Sequence, residues 1–452
     1  MTRRQVLAGA GAAALGGAGI YELVDRLAGA PARPAVTRLP LEQHVLEGVR
    51  VVRDNGVAVL VPPLHHEVVT VKVVARDLKR AQRQLEGALA GLDRRYEPTP
   101  AGLGVTVAWG LPYFRSHVPA AVAAKYLPLD LRAKKPALLD TRRFQSDPSE
   151  TVLEANDAAI LLRSDALDHI RHAHELLFQS HDLFEVTSIR RGFAGGGFEG
   201  GRSLPKQMAL AAGVPGADLI PETAELFLGF TSTQRANLGP PRIANFETLG
   251  FVVTPAGYFR GGTHMHLSHI EEDLEAWYLN FSFQEQLDTV FKPGLRVKQG
   301  IQTVPQGAAH VATERGIERD YHRLGTIGHS QAIQPASRLA ADQLGEDGTL
   351  YPKGTAIPQR ADFNTLDNPF AYPLEPGSAP LAGVHFVVFN PTSDDFERGR
   401  LAMDGQLPGG TTLPFQPGSR GQGINSVLRT THRQNFLVPP RLHRSFPLVE
   451  FV

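Results

Sequence analysis

The chain has 452 residues, of which 42% are hydrophobic and 20% charged, so it is long enough for two domains or for one large duplicated unit. Lys and Arg together number 46, as do Asp and Glu, and this balance leaves no overall field that would attract nucleic acid or an anionic membrane. Cysteine is absent, which excludes disulfides, thiolate nucleophiles, Cys-ligated zinc, iron–sulfur clusters and covalent cofactor attachment through a CxxCH motif.

The N-terminus has the layout of a twin-arginine export signal. Arg3 and Arg4 precede an apolar run of small residues that extends to Ile20, and a Pro-spaced linker follows up to Pro40. The run is short for a membrane span, so a spanning helix is the weaker interpretation, and a frayed Ala-rich helix is the other alternative. We therefore predict that residues 1–40 are signal and linker, and that the mature protein is periplasmic, cell-envelope or extracellular.

The first half of the chain alternates strand and helix signals. Runs rich in β-branched and apolar residues predict strands, and apolar residues at helical spacing predict helices. The predicted strands cover 67–75, 102–108, 157–162 and 184–190, and the helices 77–96 and 165–178. This β-α-β-β-α-β order is the split βαβ pattern of ferredoxin-like folds. The glycine-rich segment 192–201 that follows predicts a flexible surface turn, with phosphate binding as the alternative.

The second half repeats the alternation. Strands are predicted at 263–267, 383–390 and 435–438, and helices at 271–280 and 393–403. Acidic residues at the start of 271–280 suit a helix N-terminus. We therefore predict an α+β protein in which two related halves, 41–215 and 216–452, share one core.

One stretch of the second half brings a histidine and an arginine to either side of a hairpin. His329 lies in a Gly-flanked segment, Arg360 precedes a buried element, and the polar, Gly-rich residues from Asp342 to Gly354 between them predict a surface hairpin. We therefore predict that both side chains face one cavity. The alternatives are a loop histidine bonded to backbone and an arginine in a surface salt bridge.

The densest histidine group is His264, His266 and His269. On a strand, the first two point to the same face, a geometry that holds zinc or copper, while hydrogen-bonded strand histidines are the commoner outcome. The chain contains no HExxH motif and no GxSxG motif, so neither a zincin nor a serine hydrolase is indicated.

The order of the elements and several motifs resemble the dye-decolourising peroxidase (DyP-like) superfamily. The segment 262–277, GTHMHLSHIEEDLEAW, is similar to the strand-into-helix motif of that family, and GVHFVVFNPTSDDFERGR and FLVPP are similar to its closing strand, helix and tail. The segment 229–233, GFTST, is similar to the GxxDG motif but altered, which marks a divergent member. The resemblance implies duplicated ferredoxin-like halves that share one core in a DyP-like dimeric α/β barrel.

The resemblance also implies a haem site. His329 matches the position of the proximal haem ligand, Arg360 that of the distal arginine, and Ser232 stands in place of the distal aspartate. Asp394 or Asp395 is the carboxylate expected to hydrogen-bond the other nitrogen of His329. Because the chain lacks cysteine, the expected cofactor is non-covalent haem b.

Two functions follow from this resemblance. The first is an exported haem-dependent oxidoreductase, a hydrogen-peroxide-dependent peroxidase that acts on an unidentified reductant. The second is a haem- or ligand-binding protein of the same fold that has lost turnover, which the serine at position 232 favours because a hydroxyl is a poor general base. The expected partners are peroxide, the reductant, the twin-arginine export machinery and, as an open question, further copies of the chain.

Overall fold

The computed structural model describes residue 23 and residues 39–198, 201–234, 242–244, 251–254, 256–305, 312–345, 348–370 and 380–452. The predicted export signal lies outside the described residues, apart from position 23. None of the helices within the described ranges is both long and apolar enough to cross a membrane.

The N-terminal half is a four-stranded antiparallel sheet with helices on its outer face. Its strands are β3 (His65–Val73), β4 (Gly104–Gly110), β8 (Ala158–Ser164) and β9 (Phe184–Phe193), and its main helices are α1 (Leu78–Arg95) and α4 (Leu167–His174), which continues as a π-helical turn (Glu175–Gln179). The pairing order β9-β3-β8-β4 corresponds to 4-1-3-2 in the order of the chain, as in ferredoxin-like folds. The predicted split βαβ pattern is therefore confirmed.

Helix α1 shows how the local sequence produces this layer. It begins after Asp77, whose carboxylate accepts a hydrogen bond from the backbone N–H of Arg80 at 2.9 Å. Ala81, Leu85 and Leu89 recur at intervals of four and are all buried against the sheet. The outer face of this half is thus filled by an apolar core.

The C-terminal half has the same strand order. Its strands are β11 (Thr263–Glu272), β14 (Gln359–Arg360), β15 (Phe363–Thr365), β16 (Gly383–Asn390) and β17 (Leu428–Val438), and its helices are α6 (Leu274–Asn280), α7 (Phe283–Val290), α8 (Glu314–Leu324), α9 (His329–Ser337) and α10 (Ser393–Met403). The order β17-β11-β16-β15 again corresponds to 4-1-3-2. The duplication predicted from the sequence is confirmed.

The two sheets join edge to edge into one closed barrel. Strand β17 pairs with β4, where Leu437 lies opposite Trp109, and β15 pairs with β9, where Asn364 lies opposite Phe193. Apolar side chains of both halves fill the interior, among them Val68, Ala108, Ala159, Leu161, Met265, Leu267, Val387, Phe389 and Phe436. The α+β fold class and the dimeric α/β barrel predicted from the resemblance are therefore confirmed.

The remaining elements surround the barrel. The strands are β1 (Val51–Asp54), β2 (Val57–Leu60), β5 (Leu129–Asp130), β6 (Lys135–Pro136), β7 (Val152–Leu153), β10 (Arg242–Ala244), β12 (Gln343–Leu344) and β13 (Leu350–Tyr351). The helices are α2 (Leu111–Ser116), α3 (Ala120–Tyr126) and α5 (Leu204–Ala212), with 3-10 turns at Ala217–Leu219, Ser232–Gln234, Arg420–Ser426, Arg441–His443 and Val449–Phe451. The pairing of β12 with β13 confirms the predicted hairpin.

Two local predictions were wrong. Within the described part of 192–201, residues 192–195, 197 and 198 are buried, and a Cβ on Gly197 would lie 2.6 Å from the carbonyl oxygen of Thr223, so this segment is packed and is not a surface turn. The helix predicted from 271 begins at Leu274, with Asp273 as its N-cap, because Glu271 and Glu272 continue strand β11. The second correction moves Glu272 from a helix to the end of strand β11.

Candidate functional site

A cavity lies on the outer face of the C-terminal sheet, between the sheet and the helices of this half. Its volume is about 240 Å³, larger than the void of about 150 Å³ left by an engineered deletion in a protein core and just below the usual range of small-molecule sites. Helices α7, α9 and α10 bound it on one side and strands β11 and β14–β17 on the other. Its walls are mainly apolar and include Leu228, Phe230, Ile270, Phe291, Ile333, Val384, Phe386, Val388, Phe396 and Met403.

His329 reaches this cavity from the helical side. It is half-buried and is the first residue of α9, after the N-cap Gly328. The backbone is closely packed here, since a Cβ on Gly328 would lie 2.3 Å from the carbonyl oxygen of Phe291. That carbonyl also accepts a hydrogen bond from the N–H of Gln331 at 3.0 Å. These contacts fix the start of α9 and thereby the position of His329.

Arg360 reaches the same cavity from the sheet. It pairs with Val388 across β14 and β16, and both residues line the cavity. Its Nε donates to Oδ1 of Asp362 at 2.8 Å and its Nη2 to Oδ2 at 2.6 Å, while the guanidinium lies 5.8 Å from the centroid of the Phe386 ring. The structure thus brings His329 and Arg360 to one cavity, and their roles there stay predictions.

Ser232 directly follows two cavity-lining residues in the sequence, but its side chain is outside the described residues. Its backbone begins the 3-10 turn Ser232–Gln234, and the two residues before it, Phe230 and Thr231, line the cavity. The hydroxyl of Thr231 lies 2.7 Å from that of Thr233, which donates to Asp54 at 2.6 Å. The catalytic role of Ser232 therefore stays a prediction.

Asp394 and Asp395 occupy the N-terminus of α10. Asp395 forms a capping box with Thr392, and Asp395 also lines the cavity. Asp394 contacts Arg132 at 2.8 Å and Lys135 at 2.6 Å, and Asp395 contacts Arg398 at 2.7 Å. Asp395 thus caps the helix, both carboxylates pair with cations, and the predicted bond from either to His329 stays a prediction.

The three clustered histidines are used in hydrogen bonds. Nδ1 of His264 donates to the carbonyl of Pro391 at 2.7 Å, and Nδ1 of His266 lies 2.7 Å from Oδ1 of Asn435. Burial lowers the pKa of His264 to about 4 and that of His269 to about 3, so their rings are neutral. Among the described residues, no three His, Asp or Glu side chains come together as a metal site.

A second polar group of side chains lies elsewhere on the cavity wall. Asp147, from the N-terminal half, accepts a hydrogen bond from Nη2 of Arg433 at 2.5 Å and lies 3.3 Å from Nη2 of Arg400. Arg400 also contacts Asp404 at 2.6 Å, so the charges of this cluster balance. Burial lowers the pKa of Arg433 to about 10.

Two acidic residues of the site were missed from the sequence. Asp362 is two positions from Arg360, and an acid so close to the candidate arginine was the signal that could have revealed it. Glu272 lines the cavity from the end of β11, but it was assigned to a helix N-terminus together with Glu271. Burial, and after it the negative charge of Asp362, raise the pKa of Glu272 to about 8, while Arg360 acts in the opposite direction.

Comparison with solved structures finds DyP-type peroxidases. That of Cellulomonas bogoriensis is 16% identical over 90% of this chain and 96% of its own, with a TM-score of 0.49. DyPB from Rhodococcus jostii RHA1 is 16% identical over 90% and 99%, with a TM-score of 0.47, and variants of that protein were solved in complex with heme. The encapsulated enzyme of Mycobacterium smegmatis is 12% identical over 85% and 95%, with a TM-score of 0.48.

Similarity at this level concerns the fold, so any functional assignment has to come from the side chains of the cavity. No curated protein matches the chain. The model of the family of unknown function DUF7405 matches residues 63–440, which is most of the chain, and the protein therefore belongs to this family.

Proposed function

We propose that the protein is an exported haem-dependent oxidoreductase, a hydrogen-peroxide-dependent peroxidase of DyP-like type. The observation that carries this proposal is the shared cavity, which His329 lines from helix α9 and Arg360 from strand β14. An imidazole and a guanidinium brought to one mainly apolar cavity by separate elements are suited to a redox cofactor and a small polar oxidant.

The donor set of the cavity fits non-covalent haem b. His329 supplies an imidazole, which is a common axial ligand of haem iron. Phe291, Ile333 and Phe386 supply apolar and aromatic surface for a macrocycle, and Arg360 is a cation suited to a carboxylate of the cofactor. Haem, when bound, would supply the electron-transfer and peroxide chemistry that no side chain of this cysteine-free protein provides.

The residues of the chain would bind and orient the reactants. His329 would hold the cofactor through a ring nitrogen, with its position set by the packing of Gly328 against Phe291. Arg360, aligned by Asp362, would direct N–H donors at negative charge that develops on a peroxide oxygen. The apolar walls would exclude water, which strengthens these polar interactions.

The alternative is a haem- or ligand-binding protein without turnover. Ser232 stands where the resemblance implies an aspartate, and the Arg360–Asp362 pair is neutral overall, so a developing negative charge meets less net positive charge. Ser232 in a catalytic role needs another group to take up its proton. Binding and turnover are therefore tested separately.

The experiment uses the full chain expressed with haem available. A Soret band at stoichiometric loading is expected, and its absence would contradict both functions. His329→Ala should change the band, whereas His322→Ala, an exposed histidine of α8, should not. Peroxide-dependent dye oxidation above that of free haem would favour the peroxidase, and Arg360→Ala should slow it by about 100-fold or more. Ser232→Asp should raise turnover if the missing aspartate limits it.

Export by the twin-arginine machinery is part of this proposal and is tested in the cell. Replacing Arg3 and Arg4 by Lys should retain the protein in the cytoplasm, because the pathway requires the arginine pair. Fractionation of cells that express either version measures this outcome. Assembly into a homo-oligomer also stays a prediction, and light scattering of the purified protein tests it.

A further inference from the structure

Glu272 places a carboxyl group on the cavity wall. It is the last residue of β11, and its side chain lies on the same face as those of Ser268 and Ile270, which also line the cavity. Its own N–H donates to the carbonyl of Ala382 at 2.9 Å, which fixes its backbone. The residue is only 9% exposed. A carboxyl is thus held in place with little access to bulk water.

The carboxyl lacks the partners that buried carboxylates usually have. Its Oε2 is buried and accepts no hydrogen bond from any described residue. A buried carboxylate oxygen without a partner is destabilising, so this environment favours the protonated form of the carboxyl on the cavity wall. Because burial raises the pKa to about 8, the carboxyl is mainly protonated near neutral pH and can donate a hydrogen bond.

Within the described residues, three titratable or charged side chains interact electrostatically with this carboxyl. Asp362 and Arg360 do so from the β14–β15 segment and are paired with each other. From helix α6, Tyr278 interacts with it electrostatically, but the hydroxyl of Tyr278 donates to the carbonyl of Phe227 at 2.6 Å. On β17, the residue opposite Glu272 is Leu428. Because the other groups already have partners, Glu272 is the residue placed to exchange a proton with a ligand in this part of the cavity.

We propose that Glu272 is the proton-transfer residue of the cavity, with its carboxyl as the group that gives and takes the proton and peroxide as the class of ligand that receives it. This inference rests on the proposed function, and it assigns to Glu272 the role that the sequence predicted for Ser232. Arg360 and Asp362 act as the fixed pair that orients the ligand beside it.

The step assigned to Glu272 is a transfer of the proton alone. The O–H bond of the Glu272 carboxyl breaks and its electron pair stays on the carboxylate, while a new O–H bond forms on the peroxide oxygen that accepts the proton. A proton from the ligand or from water later restores the acid. A group with a pKa close to the working pH suits both directions of this transfer.

The first measurement follows the proton itself in the protein without haem. Infrared spectra of the wild type minus Glu272→Gln should show the band of a protonated carboxyl near neutral pH, and it should disappear with a midpoint close to pH 8. Asp362→Asn should move that midpoint down, because the negative charge that raises the pKa of Glu272 is removed. A difference spectrum with no protonated carboxyl at about pH 6 would overturn the inference.

The second measurement uses the haem-loaded full chain. The rate of reaction with peroxide should fall in the wild type as the pH rises through about 8, since the acid form is lost. Glu272→Gln should keep the Soret band. Its rate of reaction with peroxide should be lower by at least about 100-fold, and this rate should no longer depend on pH in this range. Glu272→Asp, which retains a carboxyl, should restore part of the rate.

The outcomes separate the two levels of the proposal. Absence of a Soret band in the wild type and Glu272→Gln alike would overturn the proposed function, and with it the substrate assigned to Glu272. A normal Soret band together with a Glu272→Gln rate and pH profile equal to those of the wild type would overturn the inference alone. Unfolding curves of both proteins, recorded at the pH of the assay, establish that the variant is folded.

Discussion

Arg360 and Asp362 form a two-point ion pair on the cavity wall, with Nε and Nη2 of the arginine 2.8 and 2.6 Å from the two carboxylate oxygens. The side chain of Asp362 is 2% exposed and that of Arg360 16%. Strand β14 ends at Arg360, and Asp362 lies in the two-residue break before β15, so the pair is built locally and buried in the C-terminal half. Both residues line the cavity, and the pair carries no net charge.

Removal of the arginine should destabilise the protein strongly. Arg360→Ala leaves the carboxylate of Asp362 buried and unpaired, and we expect a loss of about 3–5 kcal/mol in the free energy of unfolding, measured with urea. Replacement of both residues by apolar ones, Arg360→Met with Asp362→Leu, should be much closer to the wild type because no charge is left unpaired. A loss below about 1 kcal/mol for Arg360→Ala would contradict the buried ion pair.

Glu272→Gln should stabilise the protein at neutral and alkaline pH. The folded pKa of about 8 is above the usual value of about 4.3 in an unfolded chain, so the wild type loses stability as the pH rises between these two values. The amide does not ionise, and its advantage should grow from near zero at pH 4 to the order of 3 kcal/mol at pH 7.

Urea unfolding across this pH range measures the effect of Glu272→Gln. The matched control is Glu275→Gln on α6, because the side chain of Glu275 is exposed in the folded protein. A stability difference between Glu272→Gln and the wild type that stays constant from pH 5 to pH 8 would show that Glu272 is not held in its acid form.

Buried neutral histidines should make the protein acid-sensitive well above the range in which carboxylates protonate. Burial lowers the folded pKa of His44 to about 3 and that of His264 to about 4, against about 6.5 in an unfolded chain. Their contribution to stability is complete above pH 6.5 and is lost as the pH falls toward the folded values. Each such histidine should lose about 2 kcal/mol of stability by pH 5.

His385→Phe tests this for one residue. His385 lies inside the barrel with its ring 5.2 Å from that of Phe363, burial lowers its pKa, and neither ring nitrogen has a hydrogen-bond partner among the described residues. Relative to the wild type, the variant should gain stability as the pH falls from 7 to 5, because the folded pKa of His385 lies well below its unfolded value. His322→Gln, at an exposed position, should follow the wild-type curve, and a His385→Phe curve parallel to the wild type would refute the prediction.

Gly328 should tolerate no side chain. A Cβ there would lie 2.3 Å from the carbonyl oxygen of Phe291, so Gly328→Ala has to displace the start of α9, and a loss of about 1–3 kcal/mol is expected. Gly87→Ala is the control, because Gly87 is exposed in α1 with open space around it and should gain about 0.5–1 kcal/mol. Thermal unfolding compares them, and equal shifts would contradict the close packing before His329.

The sequence by itself determined the secondary elements whose patterns are local. The continuous apolar run of Gly383–Asn390 and the helix Ser393–Met403 have the predicted bounds, because period and capping are set by neighbouring residues. The order of these elements also indicated the duplicated fold, and His329 and Arg360 were identified as candidates through the resemblance. Glu272 was assigned to the wrong element because acidic residues before an apolar run also suit a helix N-terminus.

Only the tertiary structure decided which side chains these residues contact. Glu272 and Asp362 are far apart in sequence, but both line the cavity that helices α7, α9 and α10 bound. The pKa of Glu272 is raised by burial there and by the charge of Asp362. The hydrogen bonds of His264 and His266 likewise depend on partners from distant segments, Pro391 and Asn435. Desolvation and long-range charge are properties of the assembled cavity, so no local pattern records which acid keeps its proton.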